Sequence, residues 1–162
     1  MKILICYHTI TGNTEKVAKS MKEGLAEENV TLIPANDVDS ASLASYDVVF
    51  LGSGTYAASV GKSVRKLIKN AEALPSKFVL FYTHASPGPN KCFYRVEKQI
   101  ARKNSSILEK FECLGATKPN KEQLDAMTPE QREAYNKLSG HPNETDLENA
   151  KKFAKSVIGN LK

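Results

Sequence analysis

Cysteine is scarce in this chain. Cys6, Cys92 and Cys113 are the only three among 162 residues. Their number is odd, no two stand at CxxC spacing, and the three histidines are scattered, so the pattern supports neither a disulfide framework nor a zinc site. Long apolar runs are missing too, and nothing approaches the ~18 consecutive apolar residues of a membrane span. Met1-Lys2 leads straight into an apolar segment, without the graded order of a signal peptide. The expectation is a cytoplasmic protein that meets no membrane. In that compartment the Asn-x-Ser/Thr triplets beginning at Asn29, Asn104 and Asn143 carry no glycan. No nucleophile–base pair, carboxylate dyad or metal cluster stands out, which removes the usual support for hydrolytic or metal chemistry.

What is present is ordinary for a soluble globular chain: 41% hydrophobic and 25% charged residues. The length suits a single domain over 1–162 with a substantial core. The net charge of +5, from 23 basic and 18 acidic residues, permits an acidic partner without requiring one. It makes no case for nucleic acid.

Apolar runs alternate with helical patterns. Strand candidates are Ile3–Tyr7, Val30–Pro34, Asp47–Gly52, Lys77–Thr83 and Ser106–Leu114. The run Asp47–Gly52 is continuously apolar, as in a strand buried on both faces. Helical spacing joins Val17, Ala18, Met21 and Leu25, then Val64, Leu67, Ile68 and Ala71 within 63–74, then Phe93, Val96 and Ile100. Thr128-Pro129-Glu130-Gln131 reads as a cap, a first-turn proline and a capping-box glutamine for a short helix over 129–138. Thr145 with Glu148 reads as a capping box for a last helix with Leu147, Ala150, Ala154, Val157 and Ile158 inward. The order predicts an α/β fold, a three-layer sandwich with a five-stranded parallel sheet. Residues 115–144 form a long connection before the last helix. Ligands in such sheets sit at the carboxyl ends of the strands. The ends that matter are then Thr9–Thr14, Ser53–Val60 and Thr83–Lys91.

The first of these ends is the most specific. Thr9, Ile10, Thr11, Gly12, Asn13 and Thr14 lie between a strand and a helix start. Free N–H groups of a first helical turn and the helix dipole favour an anion there. Thr and Asn side chains add neutral donors, and Gly12 permits positive φ. The loop has no Lys or Arg, which separates it from a triphosphate P-loop and suits one phosphate monoester. Two rival motifs, Gly52-x-Gly54-x-x-Ala57 and Gly61-Lys62-Ser63, lack the strand context or the earlier glycine that their ligands need.

The pattern Thr-x-Thr-Gly-x-Thr after a first strand resembles the FMN-phosphate loop of the flavodoxin family, and the resemblance extends to strand order and all three loops. It implies a flavodoxin-like fold, FMN as cofactor, and FMN contacts from Thr9–Thr14, from Ser53, Gly54, Thr55, Tyr56 and Ala57, and from Thr83, His84, Ala85 and Ser86. Tyr56 is the aromatic residue that the resemblance places against the flavin ring. The acidic residue and second aromatic that many family members carry in the third loop are absent from 83–91. So is the acidic surface typical of the family. With no cation seen near the ring, the final reduction of the flavin is expected at low potential. Ala57 and Ala58 follow Tyr56, and alanine loses about 1–2 kcal/mol in left-handed backbone. A peptide flip needing positive φ after Tyr56 is therefore expected to be disfavoured.

The implied function is electron transfer between redox partner proteins. Two other readings stand beside it: an NAD(P)H-dependent quinone or nitro reductase on the same fold, and a phosphate- or nucleotide-binding module without FMN. Lys62, Arg65, Lys66 and Lys69, with Lys91, Arg95, Lys98 and Arg102, recur at spacings that put several on common helix faces. They are either ordinary solvated faces or a basic docking face.

Overall fold

The computed structural model describes residues 1–86 and 91–162. Residues 87–90, part of the expected third loop, lie outside them. Five strands run parallel: β1 (Lys2–His8), β2 (Asn29–Pro34), β3 (Val48–Tyr56), β5 (Lys77–His84) and β6 (Ser106–Leu114). They lie in the order β2-β1-β3-β5-β6, and a two-residue strand, β4 (Ser59–Val60), pairs antiparallel with the end of β3.

The alternation of side chains explains why the central runs are apolar throughout. Successive residues of a strand face opposite sides of the sheet. Leu4 and Cys6, Val49 and Leu51, and Phe78 and Leu80 enter one core. Ile3 and Ile5, Val48 and Phe50, and Val79 and Phe81 enter the other. A fully buried side chain of this size contributes about 1.5–3 kcal/mol. A sheet covered on one side only would leave half of these residues in water.

Two helical layers supply the cover. Helices α2 (Lys62–Asn70) and α3 (Tyr94–Arg102) close the first core with Val64, Leu67 and Ile68 and with Val96 and Ile100. Helices α1 (Asn13–Gly24) and α6 (Glu144–Gly159) close the second with Val17, Ala18 and Met21 and with Ala150, Ala154, Val157 and Ile158. A 3-10 turn at Ser40–Ser45 fills the polar stretch after β2. Helices α4 (Lys121–Asp125) and α5 (Pro129–Leu138) occupy the long connection and bury no residue.

Strand β3 runs to Tyr56 rather than ending at Gly52, so the expected loop from Ser53 begins as strand and turns back through β4; two helix ends also differ from the sequence reading. Helix α2 stops at Asn70 rather than continuing to Leu74, because Ala71 turns to extended backbone. The ammonium of Lys103, thirty-odd residues on, donates to the carbonyls of Ile68 and Ala71 and ends the helix from outside. Helix α6 is capped by Asn143 with Asp146 rather than Thr145 with Glu148. Asp146 also lies 2.6 Å from Nδ1 of His141, which anchors the cap two residues upstream.

Candidate functional site

The chain winds one way from β1 to β2 and the other way from β3 onward. The carboxyl ends of β1 and β3 therefore diverge into the crevice where α/β sheets bind ligands. A cavity of about 270 Å³ opens there. Ile10, Thr11 and Asn13 line it from the first loop; Gly54, Thr55 and Tyr56 from β3; Thr83, His84 and Ala85 from the end of β5. The fold thus brings together all three predicted loops. The other predicted residues, Thr9, Gly12, Thr14, Ser53, Ala57 and Ser86, do not line this cavity.

Several of those shape it instead. Gly12, at φ 87°, takes the left-handed conformation that lets the chain turn into α1. It offers no side-chain cap. The N–H groups of Asn13, Thr14 and Glu15 have no intrahelical acceptors, as at any helix start. The nearby side chains are engaged elsewhere. Thr9 Oγ1 accepts from the N–H of Gly12 at 2.9 Å, and the Asn13 amide donates to the Ala116 carbonyl at 2.7 Å. Thr14 is fully buried, its hydroxyl 3.0 Å from that of Thr83. The expected phosphate donor Thr14 thus braces α1 against the end of β5. Ser53 is buried and closes the base of the β3–β4 hairpin, donating to Gly54 O at 2.6 Å and accepting from the N–H of Gly61 at 2.8 Å.

Tyr56 joins two parts of the site. Its hydroxyl accepts from the N–H of Ile10 at 3.0 Å, tying the hairpin to the first loop. The His8 ring stands edge-on to it, with centroids 5.4 Å apart, and His8 Nδ1 lies 2.6 Å from Ser63 Oγ. Burial holds His8 below its ordinary pKa and pushes the Tyr56 phenol up. His84 Nδ1 donates to the carbonyl of Ser86 at 2.7 Å.

The hairpin itself corrects an expectation. Tyr56 pairs with Ser59 across a two-residue turn, and Ala57 and Ala58 sit at φ 47° and 60°. Positive φ at both central residues marks the turn whose twist matches a hairpin. The alanines already adopt the backbone they were expected to resist.

A fourth wall escaped the sequence reading. Gly115, Ala116, Thr117 and Lys118, just past β6, complete the cavity. A Cβ on Gly115 would lie 2.8 Å from the Asn13 amide nitrogen and 3.2 Å from Thr83 Cβ, so a larger residue would have to push the Asn13 amide aside. Lys118, exposed, adds a cation to this lining.

All three cysteines are buried. Burial pushes the thiols of Cys6 and Cys113 up to about 12 and raises that of Cys92. Among the described residues no group of three His, Cys, Asp or Glu is placed to hold a metal ion, and no helix is long and apolar enough to cross a membrane.

Taken together, a doubly wound parallel sheet, an uncapped first helix and a crevice at the switch point define a protein of the flavodoxin-like class. The chain belongs to the flavodoxin domain family, whose model matches residues 4–155. It is 31% identical over 162 residues to an uncharacterized protein of Methanocaldococcus jannaschii, MJ0298, covering 99% of this chain and all of that one. It is 27% identical over 172 residues to the flavodoxin-like domain-containing protein BilS of Clostridioides difficile, covering 98% and 97% of the two. Among solved structures, oxidised flavodoxin 2 from Bacillus cereus superposes with a TM-score of 0.72 at 20% identity, covering 99% of each chain.

Proposed function

We propose that this protein binds FMN and carries electrons between redox partner proteins. The observation that carries the reading is the uncapped start of α1, built from neutral donors and opening beside the crevice between β1 and β3. The donor set fits a monoester dianion: backbone N–H groups of the first turn, the half-buried Thr11, and no competing carboxylate among the residues lining the cavity. Bound FMN supplies the redox chemistry through its ring system.

The chain's own residues do the rest. Tyr56 offers a ring for stacking, and an aromatic pair adds about 0.5–1.5 kcal/mol beyond area burial. Ile10 is 73% exposed at the loop tip, an apolar side chain that a flat ring would cover. The Tyr56–Ile10 bond holds loop and hairpin in one frame before any ligand arrives. The cavity of about 270 Å³ lies just below the roughly 300–1,000 Å³ usual for ligand pockets.

The test is an absorption spectrum of the purified protein after incubation with FMN, followed by titration with FMN and riboflavin. Flavin bands are expected, with Thr11→Val weakening FMN far more than riboflavin. Equal losses for both ligands would move the phosphate elsewhere. Rapid reduction of the flavin by NAD(P)H alone would favour the reductase.

A further inference from the structure

On the far side of the β3–β4 hairpin lies a larger groove of about 600 Å³. The turn residues Ala57, Ala58 and Ser59 form one wall, Arg65 of α2 another, and Lys91, Cys92, Tyr94 and Arg95 a third. Three cations and no carboxylate line it. Among the described residues none of the three cations is in an ion pair, although six other lysines are. Beyond it Lys62 and Lys69 on α2 and Lys98 and Arg102 on α3 are also exposed and extend the positive surface. Lys66 belongs elsewhere, in a cleft that also contains Asp39. Glu97, the acidic residue of α3, is neutralised by Lys110 at 2.8 Å.

The groove also carries an exposed aromatic. Tyr94 is 53% exposed, with the Lys98 ammonium 4.4 Å from its ring centre. Arginine and tyrosine are the residue types that dominate protein interfaces, whereas single solvated helix faces are rich in lysine and glutamate. Finally, the groove abuts the flavin site. Tyr56 lines the cavity and its neighbour Ala57 lines the groove. The wall between them is one turn of backbone.

We infer that this groove is the docking surface for an acidic redox protein, which seats against Arg65, Tyr94 and Arg95 and exchanges electrons with the flavin across the Ala57–Ala58 turn. This rests on the FMN carrier reading. In each exchange the partner's reduced centre gives up one electron and the flavin takes it; no group is transferred. Charge complementarity selects the partner. A basic groove beside the redox site attracts a carboxylate-rich surface and raises its encounter rate by about 10–1,000-fold at low salt.

The test uses the FMN-loaded full chain and a reduced, acidic iron–sulfur ferredoxin as probe. Binding is read by calorimetry and flavin reduction by stopped flow, across ionic strength. Arg65→Glu with Arg95→Glu is expected to weaken binding and slow reduction by about tenfold or more at low salt. The gap should close near ~1 M salt, where the Debye length is about 3 Å. Lys22→Glu, an exposed lysine on α1 across the sheet, should change either by less than about twofold. Equal effects from Lys22→Glu, or a rate independent of salt in the unsubstituted protein, overturn the proposal. So does a duplex DNA oligonucleotide that binds as tightly as the ferredoxin and is lost in the same variant. Photochemical reduction of the flavin, which needs no docking, should be unchanged in every variant. Calorimetry is repeated on the flavin-free full chain, so docking is still tested if the protein fails to bind FMN.

Discussion

Replacing either alanine of the β3–β4 turn by glycine should stabilise the protein, the reverse of what that change does almost anywhere else. Ala57 and Ala58 sit at φ 47° and 60°. A left-handed conformation costs a non-glycine residue roughly 1–2 kcal/mol because Cβ crowds the carbonyl oxygen. Glycine removes that crowding. It also loosens the unfolded chain, which costs about 0.4–1 kcal/mol. The difference is a gain of about 0.5–1 kcal/mol for Ala57→Gly or Ala58→Gly. For a chain of this size a gain of 1 kcal/mol raises Tm by about 2–4 °C. The control is Ala101→Gly, at an exposed position in α3 with helical backbone. There glycine should destabilise by about 0.5–1 kcal/mol. Thermal unfolding followed by circular dichroism, with no flavin present, reads all three. Opposite signs at the turn and in the helix support the reasoning. If Ala57→Gly and Ala58→Gly lower Tm as much as Ala101→Gly does, the turn is not left-handed.

Other perturbations test the site and the core. Thr83→Val leaves the buried Thr14 hydroxyl without its partner and should cost about 1–3 kcal/mol in urea unfolding; Thr14→Val with Thr83→Val should cost less than the two single changes summed, and strict additivity would show that the hydroxyls do not interact. Tyr56→Phe removes the acceptor for the Ile10 N–H and should weaken FMN about fivefold, one net hydrogen bond of ~1 kcal/mol, while keeping the ring. Fluorescence titration reads it, and unchanged affinity would mean that the loop keeps its shape without the phenol. The thiols of Cys6 and Cys113, raised from 9.0 to about 12, stay protonated in the fold while the unfolded chain loses those protons. Their contribution is fully present below pH 9 and is lost between about pH 9 and 12, at about 1.4 kcal/mol per pH unit for each thiol. Cys6→Ala should flatten the alkaline slope of stability by that amount, and an unchanged slope would mean that Cys6 is not shielded.

The layers were legible because burial on two faces leaves a plain mark. Runs such as Val48–Leu51 have no polar residue to give the sheet an outer face. The first loop was legible as a strand–helix junction turned by Gly12, and Ile10, Thr11 and Asn13 from it line the cavity. The hairpin was not. Its turn is Ala-Ala, without the Asn-Gly or Asp-Gly that usually announces positive φ. The fourth wall was hidden for a different reason. Gly115 and Ala116 act through closeness and a carbonyl, and backbone groups leave no trace in side-chain pattern. The end of α2 depends on Lys103, a distant residue that no local window contains. The cap of α6 was missed by two residues because two overlapping Asx/Thr pairs competed, and a histidine outside the window decided between them.

The excursion formed by α4 and α5 has a consequence of its own. Neither helix buries a residue, and the N–H of Ala116 donates to the His141 carbonyl at 2.8 Å. That single bond pinches the excursion shut at its base, like a drawstring. Thr117 and Lys118, just inside the pinch, still line the cavity, and α6 begins just past its other side. What lies between is free in length: each doubling of a closed loop adds only about 0.6 kcal/mol of ordering entropy. Residues 119–140 are therefore the stretch where the chain can be shortened, lengthened or fitted with a foreign segment while the crevice keeps its shape.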